Sequence, residues 1–169
     1  MIMAPTWYIF RHALATYSKN GYGDQIFSAP ILPEARAPIE AMAFYLDNIK
    51  DSSNYCSEFL RCRQTAEIVS NVTHREFVFD RRINEFYDEP FEAFHERVQS
   101  WYRYVIQAQP ANVVVCSHGA VLSALRHLIL SGDFIEQGLL DYPPCGELMI
   151  IKDKEVQLIN FNTALAPGI

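Results

Sequence analysis

Strand-like runs alternate with helix-like stripes along the chain, which predicts an α/β fold: a three-layer α/β/α sandwich around a mostly parallel central sheet with one antiparallel strand. Three observations carry that expectation. Asn112-Val113-Val114-Val115-Cys116 is almost continuously apolar, as a parallel strand covered on both faces must be. Two strand-like runs lead directly into a histidine: residues 6–10 into Arg11-His12, and residues 112–116 into Ser117-His118-Gly119. Near the end, two apolar runs at 148–151 and 156–161 flank the polar Lys152-Asp153-Lys154-Glu155, the pattern of a hairpin that reverses one strand.

The 169 residues fit about one domain, spanning 1–169, enough to bury a core without disulfide support. Half the residues are hydrophobic and a fifth are charged, ordinary for a globular protein. With 14 basic and 20 acidic side chains the net charge is -6. Nucleic acid and anionic membranes are therefore not expected partners, and an anionic ligand needs a local positive pocket. Cys56, Cys62, Cys116 and Cys145 form no C-x-x-C pair, so a reducing compartment is expected. The first residues lack a basic stretch followed by an apolar run, and nothing approaches the roughly 18 apolar residues of a membrane span. A cytoplasmic protein is the expectation; oligomeric state is not legible.

Thr6-Trp7-Tyr8-Ile9-Phe10 is β-branched and aromatic, and so reads as the first strand. Its end places a cation beside an imidazole, either as a polar strand terminus or as an anion site in the crevice beyond the strands. Turn formers dominate residues 15–30, which read as loop, either a substrate wall or a plain connection. Pro33-Glu34 opens a helix whose Ile39, Met42, Leu46 and Ile49 form one apolar stripe. Residues 54–57 suit a second strand, followed by a helix carrying Arg61 and Arg63. Two positions are about 200° apart around a helix, so both arginines cannot serve one pocket, and spacing does not say which does. Phe77-Val78-Phe79 is a third strand candidate. After it, Asp88 and Glu89 read as helix-leading caps before Pro90-Phe91, whereas Glu85 lies too far upstream for that role. Phe91, Phe94, Val98, Trp101, Tyr102 and Val105 step along one face of the helix that follows. That aromatic stripe is core. Ser117 is placed to cap the helix at 120–130, whose start offers free N–H groups to an anion. The tail from Asn162 onward reads as frayed.

With this topology Arg11-His12, the 57–61 stretch, Glu85 and His118 open on one edge of the sheet. Two imidazoles, guanidinium groups and a carboxylate there could supply a nucleophile, an oxygen clamp and a proton donor. Neither His12 nor His118 has a neighbour at metal-ligand spacing, so no metal is expected. No phosphate-binding G-x-x-x-x-G-K-[ST] loop or G-x-S-x-G elbow is present. Cys116, at the end of a buried strand, reads as an inert core thiol rather than a nucleophile.

Phe10-Arg11-His12-Ala13, Ser57-Glu58-Phe59-Leu60-Arg61-Cys62-Arg63-Gln64-Thr65-Ala66, Arg82-Ile83-Asn84-Glu85 and Cys116-Ser117-His118-Gly119 follow one another in this order. Together they resemble the histidine phosphatase superfamily, which includes the cofactor-dependent phosphoglycerate mutases. The resemblance implies a phosphoglycerate mutase-like fold and a metal-independent phosphomonoesterase with no cofactor. It further implies His12 as the nucleophile that becomes phosphohistidine, Arg11, Arg61 and His118 as the phosphate-binding clamp, and Glu85 as the proton donor and later base. Arg61, rather than Arg63, matches the family position. The chain departs from the pattern at Ala13, where the family carries glycine and a methyl could crowd the loop. It also has Tyr17-Ser18 where a mutase has tryptophan-asparagine, and it lacks the mutase insertion. A phosphatase acting on a phosphorylated small molecule or a phosphohistidine protein is therefore expected ahead of a mutase-like phosphotransferase or a phosphate-binding module without turnover.

Overall fold

A computed structural model describes residues 3–16 and 21–162. The elements are β1 (Thr6–Arg11), α1 (Arg36–Leu46), β2 (Ser52–Cys56), α2 (Leu60–Thr73), β3 (Val78–Phe79), α3 (Phe91–Gln107), β4 (Asn112–Ser117), α4 (Gly119–Ser131), β5 (Glu147–Lys152) and β6 (Glu155–Asn160). They build one six-stranded sheet in the order β3-β2-β4-β1-β5-β6. β1, β2, β3 and β4 are mutually parallel, and β5 alone runs against its neighbours β1 and β6. This is the sandwich expected from the strand and helix pattern.

Strand alternation sends successive side chains to opposite faces, so each central strand feeds two cores. Trp7, Ile9, Val113, Val115 and Met149 pack under α3 and α4. Tyr8, Phe10, Val114, Cys116 and Leu148 pack under α1 and α2. In α3 the stripe is realised as buried Phe94, Val98, Trp101 and Val105. The β5–β6 turn places both Asp153 and Lys154 at positive φ, 51° and 64°, the backbone sense that matches the twist of a two-residue hairpin.

Several local expectations change. α1 stops at Leu46, and Ile49 packs against the core from beyond its end. β3 is only two residues long, leaving Phe77 outside it, and its side chains are exposed at the sheet edge. Asp88 and Glu89 do not cap α3: Pro90 occupies the cap position with no side-chain hydrogen bond, and Glu89 pairs with Arg97 at 2.6 Å. Ser117 is the last residue of β4 and donates to the Ile83 carbonyl at 2.6 Å, leaving His118 at the start of α4. The expected fraying of the tail and the Tyr17-Ser18 departure lie outside the described residues, apart from Asn162. Among the described residues no helix is long and apolar enough to cross a membrane.

Candidate active site

Parallel pairing of β1 with β4 brings Arg11 level with Ser117, and the ladder runs one step further where His12 N donates to the Ser117 carbonyl at 3.1 Å. The next residues along the two strands are therefore His12 and His118. Their rings lie 5.3 Å apart, tilted by 59°. Both are buried.

Arg61 stands between them. α2 turns Arg61 inward and Arg63 outward, the roughly opposite orientations that two-residue helical spacing imposes. Arg63 donates to the Glu58 carbonyl and stacks over Phe79. Each guanidinium nitrogen of Arg61 makes one hydrogen bond: Nε donates to His12 Nε2 at 3.2 Å, Nη2 to His118 Nδ1 at 3.2 Å, and Nη1 to the Ile26 carbonyl at 2.5 Å. Tyr22 lies over the guanidinium, 4.0 Å from the ring centre. Arg61 and His118 have no exposed surface, whereas Tyr22 lines the adjoining cavity. Tyr22 thus separates Arg61 from that space.

The partners assign the histidine tautomers. His12 Nδ1 lies 2.7 Å from the Ala13 carbonyl, which can only accept, so the proton is on Nδ1 and the lone pair on Nε2. Burial pushes the His12 pKa down to about 3, so the ring carries no charge near neutral pH. His118 accepts at Nδ1 and donates from Nε2 to Ser57 Oγ at 2.7 Å, which donates on to Asn84 Oδ1 at 2.9 Å. Thr65 Oγ1 accepts from Ala13 N at 2.8 Å and fixes the turn that carries His12. Ala13 is not among the positive-φ residues, so its methyl brings no backbone strain at the position where the family has glycine.

A cavity of about 910 Å³ reaches Arg11, His12, Glu85 and the start of α4 at Gly119 and Ala120. Arg11 donates to the Pro143 carbonyl at 3.3 Å, lies beside the Tyr142 ring, and keeps a buried Nε–H without a partner. The Tyr142 ring rests on Gly119, where a Cβ would come within 2.7 Å of it. Glu85 faces the cavity with its carboxylate on the Phe86 N–H, and its own carbonyl accepts from Arg97 Nη2 at 2.9 Å. Arg97 also donates to the Arg82 carbonyl at 2.7 Å, so α3 braces the main chain on both sides of the candidate acid. All five expected site residues therefore gather at one edge: Arg11, His12 and Glu85 line the cavity, Arg61 lies behind Tyr22, and His118 is buried beside His12.

Arg97, Tyr22 and Tyr142 escaped the sequence reading. Arg97 sits on the polar side of a core helix and acts on residues 12 and 15 positions earlier, and the two tyrosines belong to loops without a motif. Among the described residues no group of three or more His, Cys, Asp or Glu side chains is arranged to hold a metal ion. Cys116 is fully buried, with its thiol pushed up chiefly by that burial, and it lines no part of the cavity.

The model for the histidine phosphatase superfamily, branch 1, matches residues 7–88 and 85–152. The chain belongs to that superfamily. No curated protein matches it in sequence. Among solved structures, the histidine phosphatase fold is shared with the alpha-ribazole phosphatase from Shigella flexneri, at a TM-score of 0.72 and 19% identity over 92% of this chain and 95% of that one. It is shared with the protein histidine phosphatase SixA complexed with tungstate, at 0.68 and 16% over 94% and 99%. It is also shared with a phosphoglycerate mutase from Bacillus anthracis, at 0.66 and 12% over 94% of both chains. At these identities the likeness establishes the fold, and superfamily membership places the chain with enzymes of the phosphatase and mutase kind.

Proposed function

We propose that this histidine phosphatase relative is a metal-independent phosphomonoesterase that carries the phosphoryl group transiently on His12. One observation supports it above the others: an uncharged His12, its Nδ1 proton held by Ala13, faces a guanidinium that also holds His118. In the proposed reaction Tyr22 leaves Arg61, and the Arg61 Nε–H turns from His12 Nε2 to a phosphoryl oxygen, which frees that lone pair. The other phosphoryl oxygens settle against Arg11, the first N–H groups of α4 and His118, the last in the tautomer with its proton on Nδ1 and Nε2 accepting from Ser57 Oγ. His12 Nε2 bonds to phosphorus as the ester P–O bond breaks, and Glu85 gives its proton to the departing oxygen. Water then attacks the phosphohistidine, Glu85 takes one of its protons, the N–P bond breaks, and inorganic phosphate leaves. The arginines hold the charge that spreads over the phosphoryl oxygens in each transition state.

A phosphorylated small molecule or a phosphohistidine protein is the proposed substrate, the kinds of reaction carried in the names of the Shigella enzyme and of SixA. A cytoplasmic setting goes with it, supported by four cysteines that are all free. The test is turnover of a phosphoester panel that includes a phosphohistidine peptide. His12→Ala should abolish turnover, chelators should leave it unchanged, and inorganic phosphate should appear as fast as substrate disappears. Full activity in His12→Ala, or transfer of the phosphoryl group to a second hydroxyl in place of release, overturns the proposal.

A further inference from the structure

The cavity joins Arg11 and His12 to a set of large apolar side chains, Leu14, Phe86, Leu139, Leu140 and Tyr142, of which Tyr142 lies against Arg11. Leu14, Leu140 and Tyr142 are 47%, 83% and 49% exposed. Large apolar side chains held at a cavity mouth gain by being covered. Besides His12, the ionisable side chains among the described lining residues that bear on charge are Arg11, already at the phosphate end, Glu85, the proposed proton donor, and Glu136. Among the described lining residues a second phosphate or a carboxylate on the leaving group would lose its water, find no cation beyond Arg11 and face Glu136.

We infer that the substrate is a monophosphate ester of an uncharged alcohol with an apolar or aromatic body and no second anionic group. The inference rests on the phosphatase reading only for which end of the cavity takes the phosphate. Leu140 and Tyr142 then select the leaving group by area and Glu136 selects against negative charge, which disfavours phosphoglycerates, bisphosphates and acidic phosphopeptides.

Two phosphonates that cannot be hydrolysed separate this inference from the reaction: benzylphosphonate, and 3-phosphonopropionate, which carries a carboxylate instead of a ring. Calorimetric titration of the full chain should show benzylphosphonate binding tighter by about tenfold or more. Leu140→Arg puts a cation on an exposed rim position without touching the core, and should lower that preference by about tenfold. Equal or tighter binding of 3-phosphonopropionate to the unaltered protein, or a preference unmoved by Leu140→Arg, overturns the inference. Benzyl phosphate hydrolysis is measured alongside. Preferred binding without hydrolysis would sink the phosphatase reading and leave the leaving-group chemistry standing, whereas failure to bind either phosphonate would sink both.

Discussion

His12 is kept neutral, with the single proton on Nδ1, by its surroundings: burial is the largest cause, and the nearby His118 and Arg61 push in the same direction. An ordinary histidine value of 6.5 becomes about 3 in the folded chain. Between those values the unfolded chain binds the proton and the folded one does not. The stabilising contribution is therefore complete above pH 6.5 and is lost as the pH falls toward 3. Denaturant midpoints followed from neutral pH down to about 4 should fall more steeply for the unaltered protein than for His12→Phe, which has nothing to titrate there. Parallel curves would show that His12 is not the group responsible. At this scale the sequence was informative where geometry is local. That only one of Arg61 and Arg63 could face the site followed from helical spacing, and which one followed from the motif. Tyr22 could not be found this way, because its position over Arg61 depends on how a whole loop folds back.

Elements explain what the motifs leave open. The 82–89 segment has little regular structure beyond a single 3-10 turn, yet it must aim Glu85. Arg97 in α3 supplies the missing rigidity through the carbonyls of Arg82 and Glu85 and the carboxylate of Glu89. Arg97→Met leaves those partners unsatisfied and should lower stability by about 2 kcal/mol. Because Arg97 does not touch the phosphate end, kcat should fall by about tenfold while KM changes little. A loss confined to KM would place Arg97 in substrate binding instead. The apolar stripe of α3 was readable because its period is written into the sequence. The role of Glu89 was not, since capping logic looks forward to the next residues and its partner is two turns into the helix.

In the whole molecule, alternating strands and helices with one closing hairpin sufficed to predict the sheet and its single reversed strand. The loop at 15–30 was readable as a candidate wall, but which loop side chains line the cavity follows no such period and depends on how the chain folds. The layering makes a further prediction about the thiols. Cys56, Cys62 and Cys116 are sealed between the sheet and its helices, and Cys145 is only half-buried beside the cavity. A disulfide reagent should therefore count no more than one thiol in the folded protein and four after denaturation. Two or more in the folded protein would mean that the α1–α2 layer opens. The stitching of β1 to β4 has a last effect. Histidines that follow level positions on adjacent strands are held apart by the interstrand spacing of about 4.8 Å, a ruler made of main-chain bonds that no rim substitution can stretch. Mutations around the mouth can thus change what the protein grips while the reach from one imidazole to the other stays the same.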